Sequence, residues 1–484
     1  MSGVTGNNLP SRIYVDMDGS LLAQDVFSEQ LTRIALTKPW LLPALVWRWF
    51  RQGIAGVKLA VAESSAPVQA NFRPDIVAWL DQQRSLGRQL VLISGSDQHV
   101  VSAVAAGSEM FTEAIGSRPG CNLVGQRKLA LIREREGTEG RWTYLGDDAQ
   151  DRIIFRHASS VVLVGRACGF HLPQSILVEA RFPLPEKPWM SWFKSIRVHQ
   201  WSKNLLIGVP VLAAGIWPTP TQITSLAVVF FGMCLVASAL YIVNDLLDVS
   251  HDRVHPIKRL RPIASGCIRP HSAFIFGMGL LTTSFATVAL IAGGMATAFL
   301  GVYAVVSLAY SLWLKRLLLI DAVLLAALYV YRALIGAIVM GVVLTQWLAF
   351  FLFFFFLSLA LLKRWSELAL APTRGELPDT VPGRGYLRSD GPVIQAASVG
   401  CAIASLVVLA IYIASPDALL HYHRPEWLWA WIPILVFWHL RIAIIAGRGG
   451  IPGDPVAFAW RDPVSLVCAV AIVSTAFAAR LVGG

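Results

Sequence analysis

The sequence is poor in charged residues, and it lacks the cysteine and leader patterns that mark several common classes of protein. Only 15% of its 484 residues are charged and the mean hydropathy is +0.58, which excludes an ordinary soluble protein. Its six cysteines show no CxxC or zinc-type spacing, so we expect a reducing compartment and no zinc module or disulfide scaffold. The polar start of the chain predicts no signal peptide and a cytoplasmic N-terminal part.

The apolar excess is uneven along the chain. Residues 1–180 carry most of the acidic side chains and predict a soluble domain, 181–190 form a proline-rich linker, and 191–484 predict a membrane domain. The formal net charge of +11 is explained by membrane topology, since the cations cluster in loops between apolar runs. We therefore expect a lipid environment and no nucleic-acid partner, and we leave a homo-oligomer open.

Residues 191–484 predict an all-α bundle of nine transmembrane helices, because about 20 apolar residues cross a bilayer. The predicted spans are 204–217, 223–243, 272–293, 295–313, 317–341, 344–362, 395–414, 427–446 and 463–482. Lysines and arginines concentrate in the loops on one side, which predicts that this side is cytoplasmic. The expected location is a bacterial-type inner membrane, with the N-terminal domain and the active sites on the cytoplasmic side and the C-terminus outside.

One polar stretch, 244–266, directly follows the second predicted span and reads NDLLDVSHDRVHPIKRLRPIASG. Asn244, Asp248 and Asp252 recur every four residues, and Asp245 and Asp248 are three apart, so on a helix all four point to nearly one side. Grouped carboxylates repel one another, and Mg²⁺ is their natural partner because it prefers oxygen ligands and accepts substrate phosphates as further ligands. The stretch predicts a site for a magnesium diphosphate. The alternative is an ordinary charged cytoplasmic loop.

Further polar residues stand near the same predicted membrane surface. Arg332 is the most informative, because an arginine at bilayer depth costs about 3 kcal/mol or more unless it faces a polar cavity. We expect a wet cavity that binds anions and opens to the cytoplasm, with snorkelling of Arg332 as the alternative. Asp321 is a further candidate metal ligand. The candidate substrate-binding residues are Lys203, Asn204, Lys258, Arg259, Arg261, Tyr310, Lys315, Arg332, Lys363, Arg364, Arg384 and Tyr386.

The N-terminal part alternates short apolar runs with helical segments, which predicts an α/β domain with a parallel sheet. The predicted strands are 13–15, 89–93, 142–145 and 161–164. Three of them end in the polar motifs DMDGS, ISGS and GDD. Because open α/β sheets carry their sites at the carboxyl ends of the strands, these motifs predict one site.

The residues of these motifs suggest phosphoryl transfer through an aspartate. Asp16 would be the nucleophile, and Asp18 would protonate the leaving oxygen. Ser94 and Lys128 would bind the phosphoryl oxygens. The predicted ligands of Mg²⁺ are Asp16, Asp18, Asp147 and Asp151.

Taken in order, DMDGS, ISGS, Lys128 and GDDAQD resemble the motifs of the haloacid dehalogenase superfamily of phosphatases. The resemblance covers residues 12–165, although the family usually has threonine where Ser20 stands. It implies a Rossmann-like fold and a magnesium-dependent phosphatase. The alternative is a domain that keeps the fold without the activity. The apolar segment 37–62, interrupted by cations, predicts either a helical cap over this site or an amphipathic helix on the lipid surface.

From about residue 190 onward the chain resembles the UbiA superfamily of membrane prenyltransferases, which have nine helices and two aspartate-rich motifs facing a central cavity. The first motif matches as NDLLDVSHD, but the second departs, because Asp321 is followed by Leu325 where the family usually has another aspartate. The segments QWSKN, HPIKRLRPIASG, YSLWLK, YVYRALIGA and KRWSEL with GRGY resemble the polyprenyl-phosphate phosphoribosyltransferase branch.

That resemblance implies transfer of ribose 5-phosphate from phosphoribosyl pyrophosphate to a polyprenyl phosphate. It also implies that Asp245 and Asp248 are catalytic residues and bind Mg²⁺. The fused phosphatase would then remove the 5-phosphate and give polyprenyl-phosphoryl ribose for cell-envelope glycans. One alternative is a conventional prenyltransferase that uses a polyprenyl diphosphate donor and an aromatic or lipid acceptor. Another is a non-catalytic lipid-phosphate transporter or scaffold.

Overall fold

The computed structural model describes residues 9–65, 70–137, 140–183, 188–215, 217–255, 257–369, 385–451 and 454–481. The chain divides into two compact units. The first, which we call the sheet unit, comprises Met1–Ile196 and Tyr241–Met278. The second, the helical unit, comprises Arg197–Leu240 and Gly279–Gly484. The polar stretch 244–266 therefore belongs to the sheet unit.

The sheet unit is built on six parallel strands in the spatial order β3-β2-β1-β4-β5-β6. The strands are β1 Arg12–Asp16, β2 Gln89–Asp97, β3 Glu113–Ser117, β4 Thr143–Gly146, β5 Ser160–Val164 and β6 Leu177–Phe182. The predicted parallel sheet is confirmed. Two strands, β3 and β6, were not predicted, and β6 continues past residue 180, where the sequence placed the start of the linker.

The register of the sheet brings the polar motifs to one edge. Asp16 pairs with Ile93 of β2, and Val15 pairs with Leu145 of β4. All strands run the same way, so the residues that follow β1, β2 and β4 emerge side by side.

Both faces of the sheet are covered, which explains why its central strands are continuously apolar. In β1, Ile13 and Val15 belong to one buried cluster, whereas Tyr14 belongs to the cluster on the other face. Strand β1 therefore has no solvent-facing side, and its charged residues, Arg12 and Asp16, stand at its ends.

The described residues form nineteen α-helices, which we number in chain order. They are α1 Val26–Thr37, α2 Leu42–Ser64, α3 Pro74–Ser85, α4 Gln98–Ala106, α5 Gln126–Glu136, α6 Arg152–Phe155, α7 Pro188–Ile196, α8 Val209–Ala214, α9 Pro220–Leu247, α10 Val249–Val254, α11 Pro270–Ile291, α12 Gly293–Leu312, α13 Ile320–Met340, α14 Gln346–Ala369, α15 Gly391–Ala414, α16 Pro416–His421, α17 Trp431–Gly447, α18 Pro455–Ala459 and α19 Pro463–Leu481.

Segment 37–62 forms most of α2, and its two halves differ. The helix is interrupted at Gly53, whose φ is +64°. Before this kink, Trp47 and Phe50 are more than half exposed. After it, Lys58 donates to Asn122 Oδ1 at 2.9 Å and to the carbonyl of Gly95, next to the carboxyl end of β2. The second half is placed as a cap would be, while the first half has the exposed aromatic residues of a surface helix.

The chain is an integral membrane protein by the length and composition of its helices. Among the described residues, eight helices are long and apolar enough to cross a bilayer. They are Pro220–Leu247, Pro270–Ile291, Gly293–Leu312, Ile320–Met340, Gln346–Ala369, Arg388–Ala414, Pro425–Gly447 and Pro463–Leu481. The remaining predicted span, 204–217, falls on a 3-10 helix, Val198–Gly208, followed by the short α8. A ninth spanning helix therefore stays a prediction.

Helices α13 and α14 form a buried cluster of the helical unit and carry three of its buried charges. The rings of Tyr329 and Phe356 stack with their centroids 4.1 Å apart, and both residues belong to one buried cluster. Asp321 and Arg332 lie on α13, and Arg364 lies on α14. Rigid packing of these two helices therefore fixes the positions of the buried polar side chains.

Candidate active sites

Three carboxylates converge at the carboxyl edge of the sheet. One oxygen from each of Asp16, Asp147 and Asp151 lies within 4.8 Å of the others, and all three residues are buried. Within the part of the chain that the structure describes, no other group of three acidic, histidine or cysteine residues meets this spacing. Oxygen ligands in such a group suit Mg²⁺, so the residues present fit the predicted metal.

Lys128 lies against this carboxylate group. Its ammonium donates to Asp16 Oδ1 at 2.6 Å and to the hydroxyl of Tyr144 at 3.0 Å. That hydroxyl donates in turn to Asp151 Oδ1 at 2.8 Å. The chain of contacts fixes both carboxylates and places the buried cation where a phosphoryl oxygen bound at Asp16 would meet it.

Burial makes these carboxylates costly to ionise together. It raises the pKa of Asp147 to about 7; Asp151 and Asp148 add to the rise, and Arg269 opposes it. Burial also raises the pKa of Asp16 well above its usual range, against the attraction of Lys128. A divalent cation would offset this repulsion, which is a second reason why the residues fit a metal.

The turn after β1 is shaped to approach Asp147. Ser20 Oγ donates to Asp16 Oδ2 and to Asp147 Oδ1, each at 3.3 Å. Gly19 has φ of +75°, and a Cβ there would lie 2.3 Å from Asp147 Oδ2. Glycine is required at this position on both counts, because a side chain would be strained and would displace the carboxylate.

Asp18 is held apart from the carboxylate group. Its Oδ2 accepts from Ser94 Oγ at 3.0 Å and from Ser96 Oγ at 2.6 Å, and its Oδ1 accepts from the Val26 amide at 2.8 Å. Burial raises the pKa of Asp18, and the neighbouring Asp25 adds to the rise. An oriented carboxyl with a raised pKa is suited to donate a proton. A metal-ligand role for Asp18 stays a prediction that this geometry does not support.

A cavity of about 810 Å³ opens over the carboxylate group. Its lining includes Asp16, Asp18 and Lys128 at the edge of the sheet, and it also includes much of the stretch 259–272 from the same unit. Arg269 Nη2 in this stretch donates to Asp147 Oδ2 at 3.2 Å. The last part of the polar stretch 244–266, which the sequence linked to diphosphate binding, thus also lines the predicted phosphatase site.

The first aspartate-rich motif keeps its helical spacing, but among the described residues its carboxylates do not form a group of three oxygens within 4.8 Å of one another. The backbone amide of Asp248 donates to the Asn244 carbonyl, and that of Asp252 to the Asp248 carbonyl, each at 2.9 Å. Arg261 Nη1 bridges Asp245 at 3.2 Å and Asp252 at 2.6 Å. Asn244 Nδ2 donates to Asp248 Oδ2 at 3.0 Å. A magnesium site on these four residues stays a prediction.

Arg332 is held inside the helical unit. Its guanidinium donates through Nε to Asn204 Oδ1 at 3.0 Å, through Nη1 to the Leu328 carbonyl at 2.8 Å, and through Nη2 to the Tyr303 hydroxyl at 2.8 Å. The ring of Tyr329 lies 5.0 Å from the guanidinium carbon. Only 9% of the residue is exposed, so Arg332 does not snorkel to the surface of the unit.

Asp321 takes part in a buried ion-pair network. Arg364 Nε donates to its Oδ2 at 2.6 Å, and the Tyr386 hydroxyl donates to its Oδ1. Arg364 also pairs with Glu367 at 2.8 Å. Both oxygens of Asp321 are thus used by other side chains, which supports a role in holding α13 and α14 together. Its predicted role as a metal ligand stays untested.

The remaining predicted residues differ in their exposure and partners. Lys203 forms an ion pair with Asp454. Lys258 and Arg259 are exposed, whereas Tyr310, Lys315 and Lys363 are half-buried. Arg384 lies outside the described residues.

Three side chains of the sheet site were not singled out from the sequence. Ser96 stands inside the ISGS motif, two residues after Ser94, and this spacing could have found it. Tyr144 lies in the strand that precedes GDD. Arg269 carries no local signal, because it stands 122 positions from Asp147 among loop cations that topology already explains.

Comparison with known proteins assigns the helical part. Residues 205–368 match the sequence model of the UbiA prenyltransferase family. A decaprenyl-phosphate phosphoribosyltransferase from Mycolicibacterium smegmatis is 30% identical over 300 residues, which cover 59% of this chain and 91% of that protein. The chain belongs to the UbiA prenyltransferase family. The predicted UbiA resemblance is thereby confirmed, whereas a haloacid dehalogenase identity for the sheet unit stays a prediction.

One relative of this UbiA protein matches it along nearly the whole chain. The uncharacterized protein y4nM of Sinorhizobium fredii is 34% identical over 468 residues, or 96% of this chain and 89% of that protein. Among solved structures, a UbiA homolog from Archaeoglobus fulgidus bound to GPP and Mg²⁺ has a TM-score of 0.45 at 14% identity, covering 60% of this chain and 99% of that one.

Proposed function

We propose that this UbiA-family protein transfers a 5-phosphoribosyl group from phosphoribosyl pyrophosphate to polyprenyl phosphate. The sheet unit then removes the 5-phosphate and leaves polyprenyl-phosphoryl ribose. The observation that carries the first step is the similarity to a decaprenyl-phosphate phosphoribosyltransferase over 59% of the chain. The observation that carries the second is the group of Asp16, Asp147 and Asp151 beside Lys128.

In the transfer step, the bond from ribose C1 to the pyrophosphate oxygen breaks, and a bond from C1 to an oxygen of polyprenyl phosphate forms. The attacking phosphate is already ionised, so a strong general base is unnecessary. Mg²⁺ on Asp245 and Asp248 would neutralise the leaving pyrophosphate. Lys203 and Arg332 would bind the anionic lipid head group, and holding the reactants close would supply much of the rate.

In the phosphatase step, Asp16 attacks phosphorus and the ester oxygen leaves with a proton from Asp18; water then hydrolyses the aspartyl phosphate. The contacts of Ser94 and Ser96 with Asp18 support this role, because they aim the carboxyl while burial favours its protonated form. Lys128 would bind a phosphoryl oxygen. Mg²⁺ on Asp16, Asp147 and Asp151 would screen the phosphate charge from the nucleophile.

Both steps would take place at the cytoplasmic face of the membrane, where phosphoribosyl pyrophosphate is available. The product, a ribose joined to a lipid phosphate, has the form of a glycosyl donor for cell-envelope glycans. We therefore assign the protein to the supply of lipid-linked pentose.

A double-label assay tests both steps at once. Purified full-length protein in lipid nanodiscs is incubated with polyprenyl phosphate, Mg²⁺ and phosphoribosyl pyrophosphate that carries ¹⁴C in the ribose and ³²P at the 5-position. The wild-type protein should place ¹⁴C in lipid and release ³²P as orthophosphate. Asp16→Asn should leave both labels in lipid, and Asp248→Asn should place neither there.

The matched control is Asp81→Asn, which changes an exposed aspartate of α3 and should behave as wild type. Absence of ¹⁴C from lipid with the wild-type protein would overturn the transfer step. Equal release of ³²P by wild-type and Asp16→Asn proteins would overturn the phosphatase step. A parallel incubation with a polyprenyl diphosphate and an aromatic acceptor tests the conventional prenyltransferase alternative.

A further inference from the structure

The stretch that follows the first aspartate motif is fixed onto the sheet domain within the same unit. Arg253 makes a two-pronged ion pair with Glu29, at 2.6 and 3.0 Å, and both side chains are buried. His271 Nδ1 lies 2.7 Å from Ser28 Oγ, at the start of α1. Arg253 precedes the stretch 259–272 and His271 lies near its end, so the stretch is held in place from both sides.

The middle of the stretch approaches the turn after β1 so closely that only glycine fits. Gly266 has φ of +80°, and a Cβ there would lie 2.1 Å from the carbonyl oxygen of Ala23. Asn71 Nδ2 also donates to the neighbouring carbonyl of Ala264 at 3.1 Å. Because the two backbones leave no room for a side chain between them, the stretch forms a fixed wall of the cavity.

Arg269 is the charged group that this wall presents to the carboxylates. Its guanidinium contacts Asp147 at 3.2 Å and Asp148 at 3.9 Å, and 29% of its side chain is exposed. A divalent cation on Asp147 would take over the charge of that carboxylate and leave the guanidinium available to another anion. A guanidinium offers paired donors that match two oxygens of one phosphate group.

The cavity is too large for a phosphate group alone. At about 810 Å³, it is of the size that holds a whole small-molecule ligand. Arg166 and Arg259 also line it, and both are exposed. Both side chains are therefore accessible to the remainder of a substrate bound in the cavity.

We propose that the stretch 259–272 completes the phosphatase site and that Arg269 binds an oxygen of the phosphate to be removed. Arg166 and Arg259 attract a second anionic group of the same molecule. The substrate class is thus a phosphate monoester that carries another phosphate elsewhere, which is the form of the phosphoribosylated lipid. The inference rests on the proposed phosphatase function, and it adds a specificity element supplied by the sequence between two membrane helices.

The test compares two sugar phosphates that differ by one phosphate: ribose 5-phosphate and ribose 1,5-bisphosphate. With full-length protein and Mg²⁺, Arg269→Gln should raise KM for both about 10- to 100-fold, as expected for loss of a charged hydrogen bond. The double change Arg166→Gln with Arg259→Gln should raise KM for the bisphosphate about three- to tenfold. The KM for ribose 5-phosphate should rise by a smaller factor than that for the bisphosphate, because ribose 5-phosphate lacks the second phosphate.

Calorimetric titration with inorganic phosphate in the presence of Mg²⁺ supplies a readout that does not depend on turnover. Arg269→Gln should weaken phosphate binding about 10- to 100-fold, and Arg269→Lys should lie between this variant and wild type because it keeps the charge without the paired donors. Arg84→Gln, which changes an exposed arginine of α3, is the matched control and should equal wild type.

The outcomes of these experiments distinguish a phosphate-binding role of Arg269 from a purely structural role. If Arg269→Gln binds phosphate as tightly as Arg84→Gln, or if only its magnesium affinity changes, Arg269 merely supports Asp147 and the inference is wrong. If the wild-type protein hydrolyses neither sugar phosphate, the proposed phosphatase function fails, yet the phosphate titration still tests the role of Arg269. Should Arg269→Gln fail to fold, Arg269→Lys and the double variant retain the same tests.

Discussion

The sheet site and the first aspartate motif are both built from aspartate side chains, but the two groups of aspartates differ in geometry. At the sheet edge, oxygens of Asp16, Asp147 and Asp151 lie within 4.8 Å of one another. In the motif, an arginine stands between Asp245 and Asp252 instead. Adjacent parallel strands deliver their terminal residues to one point, whereas residues three or four apart on a helix stay about 5–6 Å apart at Cβ.

This difference predicts two kinds of metal site. The sheet carboxylates are already gathered by burial and by Lys128, so they can bind a divalent cation before any substrate arrives. The carboxylates of the motif lie at the end of α9, at the junction that follows it and on α10, so we expect them to need the oxygens of a diphosphate to complete the ligand set of the metal. The four experiments that follow are designed to break or sharpen this contrast.

The largest expected effect is that of Asp16→Asn on phosphate release. Loss of the nucleophile should lower the rate roughly 10⁴-fold or more, because the amide cannot form the acyl phosphate. Release of ³²P-orthophosphate from labelled lipid product measures it. A residual rate within tenfold of wild type would show that Asp16 is not the nucleophile.

Next in size is the effect of Asp248→Asn on transfer of ribose to lipid. Loss of one ligand that neutralises the leaving pyrophosphate should lower the rate about 10²- to 10³-fold, and excess Mg²⁺ should recover part of it. Incorporation of ¹⁴C into lipid is the measurement. A variant as fast as Asp81→Asn would remove Asp248 from the magnesium site.

Electron paramagnetic resonance of Mn²⁺ binding in the absence of substrate tests whether the sheet site binds metal before the motif does. One Mn²⁺ should bind per chain, and Asp147→Asn should weaken it about 10- to 100-fold, the scale of a lost ligand contact. Asp248→Asn should bind as tightly as wild type until phosphoribosyl pyrophosphate is added. If Asp248→Asn instead abolishes Mn²⁺ binding in the absence of substrate, the motif rather than the sheet site binds metal before substrate.

The smallest expected effect is that of Ser20→Ala. The hydroxyl makes two long hydrogen bonds, each at 3.3 Å, to Asp16 and Asp147, and a typical bond contributes only about 1 kcal/mol. Phosphate release should therefore fall about three- to tenfold, with KM almost unchanged. Ser20→Thr, which keeps the hydroxyl, should stay within twofold of wild type; a drop as large as that of Ser20→Ala would assign the effect to packing instead.

Much of the sheet site could be predicted from short motifs because each motif ends a strand. Asp16 and Asp147 follow apolar runs that could only be buried strands, and parallel strands share an edge. Strands β3 and β6 escaped prediction for the converse reason. Glu113–Ser117 has only one large apolar residue, and Leu177–Phe182 has charged residues at two of its six positions.

The sequence predicted the positions of the eight long apolar helices, but it did not predict the polar contacts of the helical unit. A run of 20 apolar residues identifies a span whatever surrounds it. By contrast, the pairing of Asp321 with Arg364 joins residues 43 positions apart, and that of Arg332 with Asn204 joins residues 128 positions apart. Nothing local in the sequence specifies which buried charge meets which.

The sequence alone determined that this chain joins an α/β domain to an apolar helical bundle, and it located two sets of aspartates, because strand ends and helix spacing are local properties. Only the tertiary structure decided that Arg261 pairs with two acids of the motif, and that Arg269 pairs with acids of the sheet site. The physical reason is that hydrogen bonds and ion pairs depend on distance in space. Residues far apart along the chain become neighbours only when the packing of the fold brings them together.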